Sequence, residues 1–171
     1  AQDSDWQPVK DAVESLALAE DPLVFTGSEA AGVTGIIASS SNARIALPAD
    51  TADLPDAVAK ALTTLRVAGV QGPYALLLPA ELFTAASETV DHGYPVYEHV
   101  KRQLGESGKI VFAPSIHGAI VVTLRGGDYS LTLGEDVAIG YLSHDAENIQ
   151  LYAQESTTFY VNTSEASVVI E

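Results

Sequence analysis

The sequence contains no cysteine and no methionine, a single tryptophan, and only 8 Lys plus Arg among 171 residues. Without Cys there is no disulfide, no thiolate nucleophile and no Cys-ligated zinc. With no Met, and Ala at position 1, the chain carries no initiator of its own. The expectation is that the Met was removed or that these residues are a piece of something longer. No stretch of eighteen apolar residues occurs, so no membrane-spanning helix is expected. Ala1-Gln2-Asp3-Ser4-Asp5 has neither the basic flank nor the apolar stretch of a signal peptide. Against the few cations stand 23 Asp plus Glu, for a net charge of −15. Nucleic-acid surfaces need clustered Lys and Arg, so nucleic acid is not expected as a partner.

What is present is apolar. Hydrophobic residues make up 47% of the chain and charged residues 18%, and a chain of this length buries roughly 70% of its unfolded surface. One domain, or one domain plus a lobe, follows. The acidity is uneven. Residues 1–60 hold ten acids against Lys10, Arg44 and Lys60, while residues 111–171 hold eight against Arg125 alone. That acidic last third reads as a solvated face kept soluble by like charge, with a cation-attracting surface as the other reading.

The chain begins with a helix. Asp5 or Ser4 can cap it, Pro8 sits in its first turn, and Trp6, Val9, Val13 and Leu16 recur at spacings of three and four. Asp21-Pro22 is expected to interrupt it, and Gly27 to end any short continuation. Residues 28–53 read as loop, with a short strand at Arg44–Leu47. Asp53 and Pro55 open a second helix that Gly69 stops. Tyr74–Leu78 is an all-apolar strand. Pro79 opens a helix over Ala80–Ser87, Thr89–Pro95 is a break, and a further helix runs from Val96 to Leu104, closed by Gly105. Strands then follow at Ile110–Ala113, Ala119–Leu124, Tyr129–Leu133, Val137–Leu142, Ile149–Gln154, Thr157–Asn162 and Ser167–Ile170. Helices and one strand followed by a run of strands is an α+β order.

The search for chemistry is mostly exclusion. His92, His99, His117 and His144 show no H-E-x-x-H spacing, and without Cys a zinc site would need most of them together. No Gly-x-Ser-x-Gly elbow supports a Ser–His–Asp arrangement. Ala31-Gly32-Val33-Thr34-Gly35 lacks the Lys of a phosphate loop and the third glycine of a dinucleotide fingerprint. Arg125-Gly126-Gly127-Asp128 reads as a hairpin turn whose Arg pairs locally. Glu135 and Asp136 are adjacent on a strand and point to opposite faces. No catalytic residue, cofactor or metal ligand is assigned. The segment 88–96 differs in kind, because Glu88, Asp91, His92 and Tyr94 surround Gly93 and Pro95 between two short helices. Composition favours an ordinary surface connection, and the sharper reading is a projecting loop that lines an opening or meets a neighbour.

Several segments carry a resemblance. Asp3-Ser4-Asp5-Trp6-Gln7-Pro8-Val9-Lys10, Ala68-Gly69-Val70-Gln71-Gly72-Pro73-Tyr74, Asp91-His92-Gly93-Tyr94-Pro95 and Thr123-Leu124-Arg125-Gly126-Gly127-Asp128-Tyr129 resemble the corresponding stretches of actinobacterial encapsulins. These are linocin-type bacterial nanocompartment shell proteins. Ile139-Gly140-Tyr141, Ser143-His144-Asp145 and Tyr152-Ala153-Gln154-Glu155-Ser156-Thr157-Thr158-Phe159 extend the similarity over essentially the whole chain.

The resemblance implies an α+β phage-capsid (HK97-like) fold. Residues 1–33 would be a peripheral spine helix and connection, 34–142 an axial domain, and 143–171 peripheral C-terminal strands. It implies a structural, non-enzymatic protein that forms pentamers and closed icosahedral shells in the cytoplasm. Its cargo would be a dye-decolorising peroxidase or a ferritin-like protein. Glu88, Asp91, His92, Gly93 and Tyr94 would line a pore on the five-fold axis. Hydrolase, protease or bacteriocin activity, as in older descriptions of the family, is the alternative. Family chains carry a substantial N-terminal portion that is not in this sequence. A truncated chain is therefore expected, with that portion a candidate partner as a separate chain and with weakened cargo binding.

Overall fold

The run Tyr74-Ala75-Leu76-Leu77-Leu78 has one polar group, the Tyr74 hydroxyl, which donates to Val70 O at 2.7 Å, and it forms an inner strand of a sheet covered on both faces. The computed structural model describes residues 5–171, so Ser4, one of the two expected helix caps, lies outside the described residues. In chain order the elements are α1 (Gln7–Phe25), β1 (Gly27–Ser28), β2 (Val33–Thr34), α2 (Ile36–Ser39), α3 (Leu54–Val67), β3 (Tyr74–Leu78), α4 (Ala80–Glu88), β4 (Val90–Asp91) and β5 (Tyr94–Pro95). They continue with α5 (Val96–Leu104), β6 (Lys109–Phe112), β7 (Ala119–Thr123), β8 (Tyr129–His144), β9 (Ile149–Val161) and β10 (Ser167–Ile170). Short 3-10 turns precede α3 and β10.

The central sheet runs in the order β10-β7-β3-β6, with β3 and β6 parallel and the other pairs antiparallel. Alternation along the strands divides the core into two layers. Tyr74, Leu76, Leu78, Val121, Val168 and Ile170 face α3 and α5, where they meet Val58, Leu62, Leu65, Val96 and Val100. Ala75, Leu77, Ile120 and Val122 face the other way, onto Ile36, Ile116 and Phe159. Burying each large aliphatic side chain is worth about 1.5–3 kcal/mol. The segment expected as a short strand at Arg44–Leu47 runs parallel to the end of β10, where Ile45 N–H donates to Val169 O at 3.0 Å and Glu171 N–H to Ile45 O at 2.9 Å.

Three local expectations need correction. The helix does not break at Asp21-Pro22 but continues to Phe25. Pro22 removes one N–H and crowds the carbonyl of exposed Leu18, which water can satisfy. Continuation also carries Val24 and Phe25 onto the lower core layer. At the second helix the capping carboxylate is Asp50, which accepts from Ala52 N–H at 2.9 Å in the preceding turn, while Asp53 makes no side-chain cap bond.

The four expected strands over 129–142 and 149–162 are two long ones. β8 and β9 form a ribbon whose register shifts at Leu133/Glu135, Glu135/Ala138 and Tyr141/Ser143. The residues that looked like strand ends are bulges that keep the pairing going. The ribbon passes residue 142 without a break, and β10 returns to the central sheet.

Candidate functional site: the 88–96 hairpin

α4 ends at Glu88, which is exposed. The chain then turns back on itself in a minimal hairpin with Val90 opposite Pro95 and Asp91 opposite Tyr94. Val96 N–H donates to Thr89 O at 2.9 Å and closes its base. The two turn residues, His92 and Gly93, have φ of 47° and 86°. A two-residue hairpin of the mirror type requires positive φ at both positions, so Gly93 is at home there and His92 holds an uncommon conformation for a non-glycine residue.

At the tip, His92 Nδ1 lies 2.7 Å from Asp91 Oδ1, with the imidazole almost fully exposed and the carboxylate partly sheltered. The hydrogen bond to Asp91, then its charge, raises the His92 pKa above the ordinary 6.5. The pair is a proton-dependent charge on a projecting turn, −1 when His92 is neutral and close to zero when it is protonated.

Tyr94 fixes the direction of the tip. Its ring stands edge-on to His99, centroids 6.0 Å apart at 66°, and the Arg102 guanidinium lies 5.9 Å from its centroid. Both partners come from α5, three residues apart, so the hairpin is clasped against the helix that follows it. Neither His99 nor Arg102 stood out in the sequence reading. Their i, i+3 spacing just after an aromatic turn is the one signal that could have found them.

The sequence-expected residues Asp91, His92, Gly93 and Tyr94 thus share one hairpin, with Glu88 at the helix end that leads into it. Of the other histidines, His99 on α5 packs against the hairpin, while His117 on the turn before β7 and His144 at the end of β8, where its Nδ1 meets the Tyr141 hydroxyl, lie elsewhere. Among the described residues no three His, Asp or Glu side chains converge as a metal site. Arg125 pairs locally as expected, its Nε and Nη2 donating to Asp128 at 2.9 and 2.8 Å. A groove of about 860 Å³ between the start of α1 and the outer ribbon is lined by Trp6, Val9, Ile139 and Leu151. No described helix is long and apolar enough to cross a membrane.

Comparison with known proteins adds to this geometry. The family model Linocin_M18, described as encapsulating protein for peroxidase, matches residues 1–158. The type 1 encapsulin shell protein of Rhodococcus erythropolis is 56% identical over 168 residues, which cover 98% of this chain and 63% of that one. The type 1 encapsulin shell protein of Mycobacterium tuberculosis is 51% identical over 170 residues, covering 99% and 63%. The chain therefore spans less than two thirds of the length of these curated relatives.

Among solved structures, a virus-like particle from Pyrococcus furiosus superposes with a TM-score of 0.60 at 16% identity, covering 78% of this chain and 58% of that one. The capsid of an empty GTA particle gives 0.61 at 13% identity, covering 95% and 64%. A Mycobacterium phage Che8 chain gives 0.60 at 14% identity, covering 80% and 54%. At such identities these similarities establish the fold alone, the α+β phage-capsid (HK97-like) fold.

Proposed function

Because the chain belongs to the linocin-type family of encapsulating proteins, we propose that it is a structural, non-enzymatic shell protein that assembles with copies of itself. The observation that carries this reading is the arm formed by α1 and the ribbon. α1 is 19 residues long and buries none of them. The ribbon exposes Leu131, Leu133, Ile139, Tyr141 and Leu142 to water. A lone two-stranded ribbon is marginal in water, and an apolar surface of this extent marks a place where other protein packs.

In this reading copies gather as pentamers of an icosahedral compartment in the cytoplasm. Residues 34–142 form the axial unit, and residues 1–33 and 143–171 a partial peripheral unit tied back to it by β10. The cargo is an enzyme, with a peroxidase favoured by the family description and a ferritin-like protein as the other class. The N-terminal portion of longer relatives acts as a further partner where it is present as a separate chain.

The hairpins of five copies then ring the five-fold axis, with Glu88, Asp91, His92, Gly93 and Tyr94 at the opening. A ring of side-chain charge selects ions electrostatically. With His92 neutral the five Asp91 carboxylates favour small cations. With His92 protonated, which its raised pKa extends to higher pH, that preference fades.

Light scattering and electron microscopy of the purified chain test the assembly. Pentamers or closed particles are expected, and a strict monomer at all concentrations would refute it. Cation and anion flux through the particles, before and after Asp91→Asn with His92→Ala, tests the pore. Equal flux of matched ions in both cases removes that role. Peptide hydrolysis abolished by His92→Ala or His117→Ala would replace the shell reading with the hydrolase one.

A further inference from the structure

The central sheet has two unlike edges. Beyond β10 the segment at Ile45 pairs in parallel and closes that side. Beyond β6 no strand follows among the described residues, and Val111 and Phe112 are 36% and 53% exposed. An open strand edge with apolar side chains is a template for another chain. Phe112 is also held in place, since its ring stands edge-on to Phe83 at 5.7 Å and 84°, and Phe83 stands likewise to Tyr97 at 6.0 Å and 71°. A large aromatic that is exposed yet already ordered loses little entropy on docking, which is the character of an interface anchor.

Charge separates the two sides as well. α5 packs over β6 and bears Lys101 and Arg102 in its last turn, and Lys109 opens β6 itself; Glu98 and Glu106 are the acids nearby in the chain. Arg102 and Lys109 have no carboxylate within ion-pair distance among the described residues. On the far side of the sheet, the chain that runs along β10 and on into α3 displays Asp50, Asp53 and Asp56, all exposed, and Glu165 lies exposed just before β10. The cations there are Lys60 and Arg44, and Arg44 is already paired with Glu171. In a chain of net charge −15, copies should repel one another unless an unlike pair of faces is offered.

We propose that the β6 edge, anchored by Phe112 and rimmed by Lys101, Arg102 and Lys109, docks on the acidic 50–56 flank of a second copy of this chain. The contact is head to tail, between unlike faces, and contacts of that kind close into rings or run on as open arrays. Opposite charges fix which faces meet and in what orientation. The inference rests on the self-assembly reading and names the surfaces by which copies meet.

Sedimentation velocity of the full 171-residue chain, over a hundredfold concentration range at low and high salt, tests it. The native chain is expected to associate, more weakly at high salt. Phe112→Asp should weaken association about tenfold or more. Lys109→Glu with Arg102→Glu should do the same, and adding Asp53→Lys with Asp56→Lys should restore it. The charge-swap set keeps the test valid if Phe112→Asp perturbs folding. Native-like assembly by both Phe112→Asp and the Lys109/Arg102 pair overturns this inference and leaves the shell reading standing. A native chain that stays monomeric throughout, with or without an oligonucleotide bound at the basic rim, overturns both.

Discussion

The guanidinium of Arg125 grips the buried carboxylate of Asp128 through two parallel hydrogen bonds across the turn that joins the central sheet to the ribbon. The backbone carbonyl of Asp128 meanwhile accepts from Asn162 N–H at 2.8 Å, so one residue ties together β7, the start of β8 and the end of β9. The hydrogen bond from Arg125 is the leading cause that holds the Asp128 pKa below the usual carboxylate range.

A carboxylate whose pKa is lowered on folding adds stability above its unfolded value, near 4, and loses that contribution as pH falls through the folded value. Asp128→Asn should therefore flatten the acid limb of a plot of Tm against pH. At pH 7 Asp128→Ala should lower Tm by roughly 3–12 °C, the loss of charge-assisted bonds in a domain of this size. Thermal melts followed by circular dichroism from neutral pH to pH 3 check both.

Pro22 sits inside α1 on an exposed turn. Replacing it by Ala restores a backbone donor and removes the crowding against Leu18. Pro22→Ala should stabilise the chain, raising Tm by roughly 3–10 °C, with a gain in helical ellipticity. An unchanged Tm would mean that the Pro22 ring is needed to seat Val24 and Phe25.

Two glycines make a contrast. A Cβ at Gly35 would stand 2.5 Å from both Gly27 N and Phe25 O, where the end of α1 crosses β2 backbone to backbone. Gly35→Ala should cost about 3 kcal/mol, because neither neighbour can move alone. At Gly140 the obstacle is the outer part of the Tyr152 ring, which is itself exposed and free to swing. Gly140→Ala should cost less than about 1 kcal/mol. Urea unfolding of the two variants decides the order.

At the hairpin, Tyr94→Ala removes the ring that Arg102 and His99 hold. Amide exchange at residues 91–94 should quicken at least about tenfold, with the core strands unaffected. Asp91→Asn should lower the titration midpoint of His92 toward 6.5 in histidine NMR spectra. The stabilising part of that pair is present below His92's unfolded pKa and fades as pH rises through its folded one.

Where a segment's fate depends on its own residues, the sequence reading and the structure coincide. α5 spans Val96–Leu104 as expected because Pro95 precedes it and Gly105, at φ 80°, ends it. β3 and β10 keep their bounds because each is short and, after its first residue, wholly apolar. Agreement ends where the deciding partner is distant. Pro22 signals a stop on any local rule, and contact of Phe25 with the sheet overrides it. Gly134 and Asp136 have no partner in the register, and only β9, which pairs with Glu135, carries one continuous strand past them.

The hairpin left no alternating pattern because each arm has two residues, so Thr89–Pro95 reads only as a break. Its polar members were nonetheless visible, while the clasp from His99 and Arg102 was not. The expected strand Ile110–Ala113 has the composition of a buried strand, and only the strand order reveals it as an open edge.

The ribbon is also a lever. Sixteen residues of extended chain reach about 50 Å, and the fixed end is the Arg125–Asp128 turn together with buried Phe159. A rotation of about 10° at that base carries the far turn through roughly 9 Å. Small adjustments at one ion pair are thereby magnified into large displacements of the outer end. In the shell proposed above, such leverage would give identical chains a simple means of fitting a surface whose curvature differs from place to place.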